Sequence, residues 1–228
     1  MNYKFNKLYD YPRSMRTLVG GKRHYDIREE KLPSVTTILS ACQSDEKKAS
    51  LEAWRQRLGP KTADIARDLA AERGTAMHRF LEAHIDGSGH KDLTPLGEQA
   101  EKMAHKIIES GLKDREEVWG QEATLYYPGL YAGATDDVGI YDGQPASMDF
   151  KQSNKPKRAE WIEDYKLQLV AYATAHDCIF GTNIEQGVIL MCTPDNFFQR
   201  FLVNGSEFRE YKWKWLRKIS DYYRSISV

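Results

Sequence analysis

Residues 130–152 read Leu-Tyr-Ala-Gly-Ala-Thr-Asp-Asp-Val-Gly-Ile-Tyr-Asp-Gly-Gln-Pro-Ala-Ser-Met-Asp-Phe-Lys-Gln. Two β-rich runs meet at Asp142-Gly143, a dipeptide that suits a two-residue hairpin turn because both positions tolerate a positive φ. Such a turn pairs Tyr141 with Gln144. Stepping outward then carries Asp136 opposite Asp149, with Cβ atoms about 5 Å apart. Pro145 could introduce a bulge and slip this register by one residue. Like charges facing each other on neighbouring strands repel, and a divalent cation between them turns the repulsion into shared coordination. Lys151 lies two residues past Asp149 and shares its face, while Phe150 points the other way, into the core. An ammonium beside a carboxylate-held cation suits phosphodiester hydrolysis, because it can position water and offset charge developing on phosphorus. Taken alone, Asp-x-Lys equally describes a solvated cross-strand ion pair.

Around this hairpin the hydrophobic period changes twice. Strands are predicted over 117–127, 130–141 and 146–152, with a further turn at Pro128-Gly129. Residues 160–177 return to a helical pattern through Trp161, Tyr165, Leu169 and Tyr172. Strands at 188–192 and 198–203 follow, and then a helix at 206–224 with Phe208, Tyr211, Trp215, Ile219 and Tyr222 on one face. Upstream, the pattern is helical from Ser34 to Ser110. Leu51, Trp54 and Leu58, then Ile65 and Leu69, recur at three- and four-residue helical spacing, and core packing is the expected role of Trp54. Gly74 is expected to end that run, with a new helix starting at Thr75. Thr94-Pro95 is a helix start and Gly111 a stop. Residues 1–27 carry Lys4, Lys7, Arg13, Arg16, Lys22 and Arg23 against Asp10 and Asp26, and read as an irregular arm with short strands. The whole predicts an α/β fold: a mixed central sheet flanked by helices, fronted by a helical region.

Composition narrows the class. A chain of 228 residues with 41 % hydrophobic and 29 % charged residues is ordinary globular protein. A mean hydropathy of −0.65 and the lack of a long apolar run exclude a membrane-spanning helix. Residues 1–12 lack the apolar stretch of a secretory signal. Thirty-three basic and thirty-three acidic residues cancel, so any nucleic-acid role must rest on local patches. Lys151, Lys155, Lys157 and Arg158 form one such patch, with a plain solvated loop as the alternative. Cys42, Cys178 and Cys192 are odd in number and widely spaced. They argue against a disulfide framework, a four-cysteine zinc site or an iron–sulfur cluster, and read as small buried hydrophobes in a reducing, cytoplasmic setting.

Two helix pairs complete the pattern. His78 and Glu82 share a face, as do Gln168 and Tyr172. Each pair by itself reads as surface or core polarity. In order along the chain, Gly74-Thr75-Ala76-Met77-His78-Arg79-Phe80-Leu81-Glu82, Gly133-Ala134-Thr135-Asp136, Asp149-Phe150-Lys151 and Gln168-Leu169-Val170-Ala171-Tyr172 resemble the motifs of the RecB-like branch of the PD-(D/E)xK nuclease superfamily. The run Asp149-Phe150-Lys151-Gln152-Ser153-Asn154-Lys155-Pro156-Lys157 and the stretch Pro33-Ser34-Val35-Thr36-Thr37-Ile38-Leu39 are most similar to mitochondrial genome-maintenance exonucleases and small bacteriophage exonucleases.

The resemblance implies a restriction-endonuclease-like core of αβββαβ order over 74–228, with residues 1–73 as an arm and helical region forming an arch or clamp in the same compact unit. It implies a Mg²⁺- or Mn²⁺-dependent deoxyribonuclease using one or two ions and no iron–sulfur cluster. Asp136, Asp149, His78 and the Phe150 carbonyl would hold metal, and Asp136, Asp149 and Lys151 would be catalytic. Ser153, Lys155, Lys157, Gln168 and Tyr172 would meet DNA. Glu82 and Glu122 would be acids beside the ligands, with a solvated strand charge as the other reading of Glu122. Strand alternation turns Asp137, the rival of Asp136, to the opposite face. The implied substrate is single-stranded DNA or single-stranded ends, in phage-type replication, recombination or genome degradation. A single-strand-binding or annealing protein is a compatible partner, a membrane is not, and the host cytoplasm is the expected location. An endonuclease of the same fold and a non-catalytic DNA-binding module are the alternatives.

Overall fold

The Asp142-Gly143 turn forms with φ of 50° and 72°, the left-handed pair that a tight hairpin demands. It joins β6 (Tyr131–Tyr141) to β7 (Gln144–Gln152). Tyr141 pairs with Gln144, and the register runs unbroken to Asp137 opposite Met148. Pro145 pairs with Ile140 and slips nothing. In this computed structural model residues 4–227 are described; residues 1–3 and 228, the extreme ends of the expected arm and core, lie outside the described residues.

The hairpin sits in the middle of a six-stranded mixed sheet. β5 (Arg115–Tyr127) runs antiparallel to β6. β8 (Gln186–Cys192) runs parallel to β7 after the crossover helix α5 (Glu163–Phe180), and β9 (Phe198–Asn204) is antiparallel to β8. β1 (Lys4–Phe5) adds a short parallel edge beside β5. Every residue of β8 is buried, as a strand covered on both faces must be. Helices cover both faces. On one, α5, α1 (Val35–Ala41) and α6 (Gly205–Ile226) enclose Val35, Ile38, Leu167, Val170 and Trp215 against Leu125 and Val138. On the other, α3 (Pro60–Asp86) and α4 (Pro95–Ser110) press Met77, Phe80, Leu81, Met103 and Ile107 onto Met148, Phe150, Val188 and Leu190. From α4 through β8 the order is αβββαβ, the expected restriction-endonuclease-like arrangement. Among the described residues no helix is long and apolar enough to cross a membrane.

Several expectations are corrected. Gly74 does not end a helix: α3 runs unbroken over 27 residues, so the residue-73/74 boundary falls inside one element. Glycine costs such a helix about 1 kcal/mol relative to alanine. The buried stripe from Ala76 to Ile85 offsets that amount. The arm is not irregular. β2 (Ser14–Val19), β3 (Lys22–Ile27) and β4 (Glu30–Pro33) form an antiparallel sheet that turns through Gly20-Gly21 and seals Tyr25, Ile27 and Leu32 onto Tyr126 and Ala132. Trp54 is not the core residue expected. α2 (Asp45–Leu58) buries no residue, Trp54 is half-buried, and Leu51, Leu58, Ile65 and Leu69 are exposed. Trp161 is exposed as well, in a short turn before α5. Of the cysteines only Cys192 is buried; Cys42 is partly buried and Cys178 is exposed.

Candidate active site

Five elements, β5, β6, β7, α3 and α5, contribute predicted site residues. β7 presents Asp149 and Lys151 on one face, and the Lys151 ammonium donates to Asp149 Oδ1 at 2.6 Å. The Asp136 Oδ2 atom of β6 accepts from the Phe150 amide at 2.7 Å. The register from Asp137–Met148 outward sets Asp136 level with Asp149. On the other side, Gln121 pairs with Asp137 and Ala123 with Thr135, so Glu122 falls level with Asp136 too. Glu122 sits there in a left-handed kink, φ 46°. Three carboxylates thus stand abreast on three strands.

α3 lays His78 across this row. Its Nε2 lies 2.8 Å from the Phe150 carbonyl oxygen and its Nδ1 3.7 Å from Asp136 Oδ1. One turn later Glu82 brings its carboxylate near His78 and Glu122, one donor atom from each of the three lying within 4.8 Å of the others. From α5, Gln168 donates to the Tyr172 hydroxyl at 3.1 Å. The hydroxyl edge of the Tyr172 ring lies against Gly133, where a Cβ would come within 2.6 Å of the ring. The glycine and the aspartate of Gly133-Ala134-Thr135-Asp136 therefore do different things: one seats the tyrosine and the other faces the cleft.

Crowding acids together has an electrostatic price. Burial pushes the Asp149 carboxyl up; Lys151 opposes this and the charge of Asp136 adds to it. Burial, then Asp136 and Glu82, push Glu122 up to about 7, its carboxylate turned into the cleft although the residue is exposed overall. Burial also raises Glu82, with His78 pulling the other way. For Lys151 burial opposes the charged form, yet Asp149 and Asp136 hold its pKa above the ordinary value. Asp149 Oδ2 is buried without a hydrogen-bond partner. An orphaned carboxylate oxygen, further acids, an imidazole and a backbone carbonyl fit a hard divalent cation such as Mg²⁺ or Mn²⁺. Asp137 turns away, fully buried and ion-paired with Arg115.

The loop after β7 is ordered by its own contacts. Ser153 is buried and its hydroxyl donates to the Lys155 carbonyl at 2.7 Å, so it shapes the loop and its hydroxyl is not presented to DNA as expected. The Lys157 backbone exchanges two hydrogen bonds with the Gln199 side chain, leaving Lys155 exposed beside it. Sequence reasoning missed Arg73, which is 7 % exposed and donates to Gln152 Oε1 and Asn154 Oδ1 at 3.3 and 2.8 Å. That arginine fastens α3 to the strand carrying Lys151. Its adjacency to Gly74 was the available signal. Also missed was the wall facing the acids: Arg16, Arg23 and Tyr25 line the same cleft of about 360 Å³ as His78, Glu82, Glu122, Asp136, Gln168 and Tyr172.

Fold and site together define a mixed α/β protein with a cleft lined by Glu82, Glu122, Asp136 and His78, donor groups of the kind a divalent cation takes. No family model matches the chain. Its sequence is similar to mitochondrial genome maintenance exonuclease 1 of Mus musculus, 27 % identical over 223 residues that cover 89 % of this chain and 64 % of the relative. The same protein of Homo sapiens is 27 % identical over 209 residues, covering 86 % and 59 %. That of Xenopus tropicalis is 28 % identical over 203 residues, covering 84 % and 57 %. The chain thus spans about six-tenths of the length of these curated relatives. Among solved structures, an exonuclease candidate from Eubacterium rectale superimposes with a TM-score of 0.48 and 14 % identity, over 66 % of this chain and 63 % of that one.

Proposed function

We propose that this chain is a metal-dependent DNA exonuclease of the RecB-like PD-(D/E)xK type, acting on single strands or single-stranded ends. One observation carries the reading: the Asp136 carboxylate lies beside the His78 imidazole and the Phe150 amide, His78 reaches the Phe150 carbonyl, and Asp149 on the same strand is paired with the Lys151 ammonium. The likeness to relatives named as genome maintenance exonucleases supports it. The four ligand groups would hold Mg²⁺ or Mn²⁺, which supplies Lewis acidity toward the scissile phosphate. Lys151 orients a water against phosphorus and donates toward the oxygen on which charge accumulates. The water oxygen bonds to phosphorus and gives up a proton to solvent, the bond to the 3′ oxygen breaks, and that oxygen takes a proton from solvent, leaving a 5′-phosphate and a 3′-hydroxyl. Gln168 and Tyr172 fix the backbone beside the lysine. Lys155 and Lys157 receive the strand leaving the site, on the loop that Ser153 shapes. Replication, recombination or genome breakdown of phage type is the setting such an enzyme serves.

The test is to incubate end-labelled single- and double-stranded DNA with the protein in Mg²⁺, in Mn²⁺ and in excess EDTA. Progressive shortening from an end that EDTA stops is the expected result. Discrete internal cuts would mean an endonuclease, and intact DNA in either metal would leave a binding module.

A further inference from the structure

The wall opposite the acids is built from an element that the catalytic motifs do not include. In the β2–β3 hairpin Arg16 pairs with Tyr25 and Leu18 with Arg23, so all four side chains share one face. Arg16, Arg23 and Tyr25 on that face line the acidic cleft. The two arginines are diagonal neighbours in this register, about 7–8 Å apart. The Arg16 guanidinium lies 5.9 Å from the centroid of the Tyr25 ring, which is itself buried at 3 % exposure and fixed in the satellite core. The Arg23 carbonyl accepts from the Ser34 amide at 3.0 Å and from the Thr37 hydroxyl at 2.8 Å, pinning the strand to the start of α1. The backbone is rigid, while both heads are exposed and neither makes an ion pair among the described residues. They face Glu82, Glu122 and Asp136 across the cleft without neutralising them by contact.

We infer that Arg16 and Arg23 bind two backbone phosphates of the strand in the cleft, so that the hairpin presses the scissile phosphate onto the acidic row. A phosphodiester between a carboxylate-held cation and a guanidinium meets positive charge on both sides, and the planar fork of arginine suits its paired oxygens. This rests on the nuclease reading and deepens it by naming residues that position the substrate. Neither arginine takes part in the bond-breaking step.

Lys22 supplies the control. It lies on the same hairpin with the same charge, but pairs with Val19 on the opposite face. Arg16→Ala, Arg23→Ala, the double variant, Arg16→Lys and Lys22→Ala are compared by initial rates on single-stranded DNA in Mg²⁺. Binding to a labelled single strand is measured by anisotropy in Ca²⁺ over a series of salt concentrations. Each alanine at 16 or 23 should raise KM several-fold with kcat within twofold of wild type. Each should also flatten the slope of log Kd against log salt by about 0.7, the contribution of one phosphate on a single strand. Arg16→Lys should restore the slope, and Lys22→Ala should leave KM and slope unchanged. If wild type cleaves but the double variant keeps its KM and slope, or if Lys22→Ala matches it, the inference fails and the nuclease reading stands. If wild type cleaves nothing in either metal, the nuclease reading fails, and the Ca²⁺ binding slopes still decide whether the two arginines hold phosphate.

Discussion

Asp136 and Asp149 differ in what their carboxylates hold, and that difference separates two substitutions of the same type. Asp136 accepts from the Phe150 amide, and an asparagine oxygen can accept there equally well. Asp149 is the partner of Lys151, and an asparagine there leaves that ammonium without its counter-charge. Both Asp136→Asn and Asp149→Asn should lower cleavage by about 10²-fold or more, since each removes ligand charge that must be present in the transition state. In EDTA the two should part. Asp136→Asn relieves repulsion with Asp149 and Glu122 and should melt higher, by about 2–4 °C for each kcal/mol regained. Asp149→Asn should not gain. Paired thermal melts and Mg²⁺ assays check this; wild-type turnover by either variant would remove both residues from the site. Lys151→Ala should lose turnover by about 10²–10³-fold with DNA affinity retained, because its charge matters most when phosphorus carries five oxygens. A variant that bound DNA poorly but cleaved bound DNA at the normal rate would make Lys151 a phosphate anchor only.

At the level of elements, the sheet and α5 meet through a glycine. Gly133→Ala places a methyl carbon 2.6 Å from the Tyr172 ring, an overpacking that costs about 1–3 kcal/mol. Its melting temperature should fall, and Tyr172→Leu in the same chain should recover part of the loss, giving a non-additive cycle. Additive losses would mean that ring and glycine do not touch. The far end of α5 supplies a pH dependence. His176 is fully buried, with the Tyr11 hydroxyl 3.1 Å from Nε2 and the Thr182 hydroxyl 2.8 Å from Nδ1. Tyr9, Tyr11, Trp119 and Phe180 pack around its ring. Burial pushes its pKa down from 6.5 to about 4. The unfolded chain therefore binds this proton more readily than the folded one. The contribution is complete above pH 6.5 and is lost as pH falls toward 4, on the order of 3 kcal/mol in all. Asp177, whose pKa burial raises, opposes part of that slope. Melts between pH 4.5 and 7.5 should be steeper for wild type than for His176→Gln; parallel curves would exclude the histidine as the cause. These elements also mark what could be read from sequence. The β6–β7 register was legible because one local turn sets it, and the α6 stripe because every third or fourth residue faces the sheet. The register of Glu122 against Asp136 was not legible, since β5 shifts register twice before it and then kinks. The short strands of the arm were expected, but not their assembly into the β2–β4 sheet, whose apolar face is closed by Tyr126, Ala132 and Ile179, about a hundred residues or more away in the chain.

For the whole molecule the exonuclease reading requires a route by which a DNA strand reaches the cleft. α3 is about 40 Å long at 1.5 Å per residue. Its second half packs on the sheet and carries His78 and Glu82. Its first half pairs with α2, whose residues are all at least partly exposed. The chain leaves the cleft at Thr36 in α1, runs out along α2 and returns along α3 to Ala71, Gly74 and Thr75, which line the cleft again. Lys47 near the start of α2 is ion-paired with Asp164 in the first turn of α5, the helix that carries Gln168 and Tyr172. The helical hairpin therefore has one foot on each side of the acids. Leu51, Leu58, Ile65 and Leu69 of this hairpin are exposed. A strand under such a cover has to be threaded from a free end, so topology should control the reaction. Linear single-stranded DNA, or duplex with a single-stranded tail, should be degraded in Mg²⁺ while a covalently closed circle of the same sequence survives. One nick in that circle should restore degradation. Closed single-stranded circles cut at the rate of the linear form would mean that the hairpin does not enclose the strand, and would replace the exonuclease reading with an endonuclease of the same fold.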